Sequence, residues 1–63
     1  MTKKDYIIIA KVFKKTFDYA QKEIDIWTMD NLKIIVQDFC EVAKEDNDKF
    51  NETTFKKAIG FKV

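Results

Sequence analysis

Residues 50–61 read Phe50-Asn51-Glu52-Thr53-Thr54-Phe55-Lys56-Lys57-Ala58-Ile59-Gly60-Phe61, and they carry a full set of signals for one short helix. Asn51 is a strong N-cap type, because its side-chain oxygen accepts from an orphan N–H of the first turn. Phe50, before the cap, and Phe55, inside the helix, stand at the positions of a hydrophobic staple. Gly60 is the only glycine in the chain and falls where a left-handed residue ends a helix, with Phe61 able to fold back onto Phe55. The spacing predicts a helix over 52–59. Eight residues are too few to hold a helix alone, so Phe55, Ala58 and Ile59 must dock on what precedes them.

Upstream, Leu32, Ile35, Val36, Phe39, Val42 and Ala43 recur at helical spacing, with Met29 at the margin. Thr28 is the expected N-cap, Asp30 suits the positive end of the helix dipole, and residues 46–48 form a polar turn. A helix over 28–45 follows. At the start, Thr2 and Asp5 make a near capping box. Tyr6, Ile9, Ala10, Phe13 and Phe17 continue as one stripe, giving a helix over 3–18. Residues 18–27 are ambiguous, because residues 22–27 alternate polar and apolar as a strand would. No partner strand exists, so they are read as a helix end and an extended connector. Ile24, Ile26 and Trp27 are expected to pack beneath it as a lid. The expected architecture is all-α: a single small three-helix domain spanning residues 1–63.

Composition supports a folded domain of marginal size. Of 63 residues, 46% are hydrophobic and nine are aromatic, more than a disordered chain carries. A chain this short buries only about 60% of its unfolded surface. Cys40 is the one cysteine and there is no histidine, so neither an intrachain disulfide nor an imidazole zinc site can staple it. No cofactor is expected. A lone thiol and the lack of any apolar run near 18 residues point to the cytoplasm, with no membrane association. Lys3 and Lys4 resemble the charged start of a signal peptide, but Lys11 interrupts the apolar run that would follow.

Catalytic chemistry finds little support. Histidine and serine are both missing, and no Gly-rich phosphate loop occurs. Cys40 sits mid-helix beside apolar positions, as a small core or boundary residue does. The acids of residues 38–48 read as a solvated helix face, and the 46–48 turn lacks the central glycine and distal Glu of a calcium loop. An enzyme is not expected.

Two surface features remain. Charge is segregated: residues 1–22 carry six Lys and two acids, residues 23–48 eight acids and two Lys, and residues 49–63 four Lys and one acid. Solvated helix faces account for this. A basic patch of Lys4, Lys11, Lys14 and Lys15 for nucleic acid or an acidic partner is the alternative, and the complete lack of arginine counts against sequence-specific DNA reading. Ile8, Val12 and Tyr19 form a second apolar line off the main stripe of the first helix, and Ile34 is off-face on the second. They either pack under the 18–27 connector or form an interface with a protein partner or a second copy.

The opening Met1-Thr2-Lys3-Lys4-Asp5-Tyr6 with Ile9-Ala10, and the closing Asn47-x-x-Phe50-Asn51-x-x-x-Phe55-x-x-Ala58-x-Gly60, resemble a family of small helical proteins of bacteriophages, prophages and similar elements, to which no activity is attached. That family typically closes with Asn-Pro-x-Phe-Asp, a Phe four residues on, then Ala-Cys-Gly. Here Asp48 replaces the proline, Asn51 the aspartate and Ile59 the cysteine. The resemblance spans both ends and implies a three-helix fold of mobile-element type, with no functional residues to carry over. The function expected is a non-enzymatic protein-interaction module, such as an inhibitor of a host defence or regulatory complex.

Overall fold

The computed structural model describes residues 1–62 and contains three helices: α1, Lys3–Lys22; α2, Ile26–Asp46; and α3, Glu52–Ile59. Both ends of α3 form as expected. The Asn51 side chain accepts from the Thr54 N–H at 3.0 Å, and Phe50 meets Phe55 with ring centroids 5.5 Å apart. Gly60 takes φ 110°, while Phe61 N–H donates to Lys56 O at 3.0 Å. Phe61 folds back, but its ring meets Phe17 at 4.8 Å. The capping box at α1 is complete, with Thr2 N–H donating to the Asp5 carboxylate at 2.9 Å and the Thr2 hydroxyl accepting from Asp5 N–H.

The structure corrects the connector. Helix α1 runs four residues beyond position 18 and α2 begins at Ile26, leaving only Glu23, Ile24 and Asp25 between them. Asp25 N–H donates to Ala20 O at 2.8 Å and Ile24 N–H to Gln21 O at 3.2 Å. That pair is a Schellman helix end, which needs a left-handed residue, and Ile24 supplies it at φ 54°. Asp25, not Thr28, caps α2. Its carboxylate accepts from the Thr28 N–H at 3.0 Å and from the Thr28 hydroxyl at 2.6 Å. Asp30 therefore lies beyond the first turn. No lid exists: Ile24, Ile26 and Trp27 are 77%, 62% and 76% exposed.

Lengths explain this. At 1.5 Å per residue, α1 and α2 are each about 30 Å long and α3 about 12 Å. Helix α3 packs low on the α1–α2 pair, with Lys56 Nζ donating to Gln37 Oε1 at 2.8 Å. The end of the pair where α1 turns into α2 projects beyond it. The core is Tyr6, Ala10 and Phe17 of α1, Leu32, Val36, Cys40 and Ala43 of α2, and Phe50, Phe55 and Ile59. Its aromatic centre is continuous, with Phe39 meeting Tyr6, Phe13, Phe50 and Phe55. Ala20 is fully buried, so the antiparallel helices approach closely beside their turn.

Three residues assigned inward face solvent: Ile35, Val42 and Ala58. On α2 the cause is the position of α3, which docks on the Gln37 and Cys40 side. Cys40 thereby becomes a core residue, and the opposite flank carrying Ile35 and Val42 is left uncovered.

Candidate functional site

Helix periodicity fixes the surface. Along α1, positions 8, 12 and 19 fall within one narrow row at 100° per residue. Ile8, Val12 and Tyr19 are each more than half exposed, so they do not pack under a connector. That row borders α2. On its other side α1 faces α3, where Lys3, Tyr6, Ile7 and Ala10 line a groove of about 390 Å³ with Phe50, Thr54, Phe55 and Ala58. Across the seam, Ile35 and Val42 share the flank of α2 that looks the same way, both more than half exposed. A long apolar face thus joins Ile8, Val12 and Tyr19 to Ile35 and Val42.

Ile34 does not join it. It is exposed, but its row lies about 100° further round α2, nearer that of Trp27. Ile35 and Val42 were missed because periodicity on a helix with apolar residues on several faces cannot say which stripe the third helix will cover, and Trp27 because residues 18–27 read as a connector with a lid rather than as a helix start.

A second apolar surface is the projecting end, where Ile24, Ile26 and Trp27 stand out at the turn. Ile24 is the only non-glycine residue with positive φ among those described. A β-branched side chain there costs about 1–2 kcal/mol relative to right-handed backbone.

The candidate lysines divide. Lys4, Lys11 and Lys15 share one row of α1 with Lys22, on the rim of the long face. Lys14 lies off that row and pairs with Asp18 at 3.2 Å. On the α2 rim stand Asp38 and Glu45. Among the described residues none of these rim lysines or acids forms an intramolecular ion pair.

Cys40 borders an open groove of about 810 Å³ with Gln37, Glu41, Lys44 and Glu45. Burial pushes its thiol up from the ordinary value, nearby Glu52 adding to the effect and Lys56 opposing it, which keeps the thiol protonated and a poor nucleophile. No group of three or more His, Cys, Asp or Glu among the described residues is placed to hold a metal ion. No described helix is long and apolar enough to cross a membrane. No family model matches the chain, and no curated protein or solved structure matches it either.

Proposed function

We propose that this chain is a non-enzymatic protein-interaction module whose contact point is the projecting α1–α2 end. One observation carries this: Trp27 and Ile24 are each about three-quarters exposed, and Ile24 is held in a left-handed backbone that glycine would occupy at lower cost. An exposed Trp flanked by two isoleucines has the composition of an interface anchor. Strained backbone clusters at binding sites, where the strain is retained for the geometry it gives. In the phage-type setting that the terminal motifs suggest, the partner is a component of a host defence or regulatory complex that this small domain blocks.

Trp27 is the only tryptophan, so its fluorescence reports directly on the contact. Bait carrying wild-type chain is expected to retain a host protein that Trp27→Ala bait loses, and the purified partner to shift Trp27 emission to shorter wavelength. Equal retention by both baits would remove the reading. Nucleic-acid binding is the second reading, favoured by the Lys4, Lys11, Lys15 and Lys22 row; it predicts affinity that falls linearly with the logarithm of salt concentration.

A further inference from the structure

We propose that the long α1–α2 face is closed by a second copy of this chain, about a two-fold axis running parallel to the helices. Three observations carry it. The first is area. A compact monomer of 7.5 kDa exposes about 4,200 Å², whereas this chain exposes 4843 Å². The excess is roughly 600 Å², of the order of the ~800 Å² per partner that a standard interface buries. The second is the apolar row of Ile8, Val12 and Tyr19 beside Ile35 and Val42, which no part of the described chain covers.

The third observation selects the occupant and its orientation. The face has a lysine rim along α1 and an acidic rim along α2, and among the described residues neither is paired within the chain. A two-fold axis parallel to the helices turns α1 of one copy onto α2 of the other, lysine rim against acidic rim. An axis across the helices would set lysine against lysine. Levels also agree. The amino terminus at Met1 lies 3.8 Å from the Asp46 carboxylate, so α1 starts level with the end of α2. Counting 1.5 Å per residue from there, Lys4 lies within about 3 Å of the level of Glu45 and Lys11 within about 3 Å of that of Asp38. The rotation preserves level along the axis, so Lys4 and Lys11 arrive within side-chain reach of Glu45 and Asp38 on the other copy, while Lys15 and Lys22 meet no acid on that rim. The four helices then form one antiparallel bundle.

This arrangement places both projecting ends, each with Ile24, Ile26 and Trp27, at the same end of the dimer. A bivalent contact head is the consequence, and only that consequence rests on the function proposed above; the dimer itself does not.

Sedimentation equilibrium of the full chain is the test. Wild type is expected to dimerise. Val12→Glu, at an exposed position, is expected to leave the helical circular dichroism intact and weaken the dimer at least tenfold. Lys11→Glu is expected to weaken it about tenfold, and Lys11→Glu with Asp38→Lys to restore it. A spin label at Glu23→Cys, with Cys40 too buried to react, is expected to give an inter-label distance below the 35 Å length of one copy. Ile24→Gly, which alters only the turn between the helices, should dimerise like wild type, which separates this inference from the partner-binding reading. A wild-type monomer at every concentration, or a charge swap that fails to restore association, would overturn the proposal. A label separation longer than one copy would overturn it too.

Discussion

At Ile24 the chain accepts a cost that a single substitution removes. Ile24→Gly relieves the left-handed penalty of about 1–2 kcal/mol and returns part of it as unfolded-chain entropy. The variant is expected to be more stable by about 1 kcal/mol in urea titration; a loss of stability would mean that the exposed side chain contributes packing after all. The Tyr6 hydroxyl is another residue-level cost. It is buried without a hydrogen-bond partner, and such a group carries its desolvation penalty uncompensated. Tyr6→Phe is therefore expected to leave the urea midpoint unchanged or raise it, whereas losing a satisfied hydroxyl would lower it. Two exposed caps set an acid response. Hydrogen bonds from the Thr2 backbone and then its side chain hold Asp5 below the ordinary 3.8. The Thr28 side chain and then its backbone do the same for Asp25. A carboxylate depressed in the folded state stabilises it above pH 3.8, and that contribution is lost as pH falls through the lower folded value. Asp25→Asn keeps a cap acceptor without the titration, so its urea midpoint is expected to fall less than that of wild type between about pH 5 and about pH 2. Of these residues, Asp5 was legible because a capping box is a fixed-spacing signal. Ile24 was not, since left-handed helix ends are sought at glycine or asparagine and the chain here uses neither.

The three helices differ in how far their own sequence determines them. Helix α3 is specified locally at both ends, so its boundaries could be read directly. That local character predicts local costs: Asn51→Ala is expected to lower stability by about 1 kcal/mol. Gly60→Ala is expected to lower it by about 1 kcal/mol through backbone strain, since an added Cβ meets only ordinary contacts with Phe17 at 3.6 Å. Helix α2 is different. Its apolar residues occupy more than one face, so periodicity found the helix but not its rotation. The position of α3 made Cys40 core and turned Ile35 and Val42 outward, a tertiary choice with no local signature. The α1–α2 turn was misread for a related reason. The alternation at residues 22–27 looked strand-like, yet those residues complete one helix, turn and begin the next, where alternation has no structural meaning. The basic row and the Ile8, Val12 and Tyr19 line were legible because α1 has one strong stripe against which departures stand out.

The whole molecule is a long two-helix pair partly covered by a short third helix, and this sets how its stability should respond to concentration. A 63-residue domain has roughly 3–9 kcal/mol of stability in hand, and this one leaves a long apolar face in water. If a second copy closes that face, unfolding converts one folded dimer into two unfolded chains, and mass action links the midpoint to protein concentration. Each tenfold rise then adds about 0.7 kcal/mol per chain, half of the ~1.4 kcal/mol per dimer. Unfolding entropy near 2.1 cal/mol/K per residue amounts to about 0.13 kcal/mol/K for this chain. The thermal midpoint is therefore expected to rise by about 5 °C per tenfold increase in concentration. Val12→Glu should melt lower and lose that slope, because the monomer unfolds at a midpoint independent of concentration. Ile24→Gly should keep the wild-type slope, because Ile24 lies in the turn between the helices, outside the dimer face. Scanning calorimetry over a hundredfold range reads all three, and a flat wild-type midpoint would mean that the face is left for a different protein to cover.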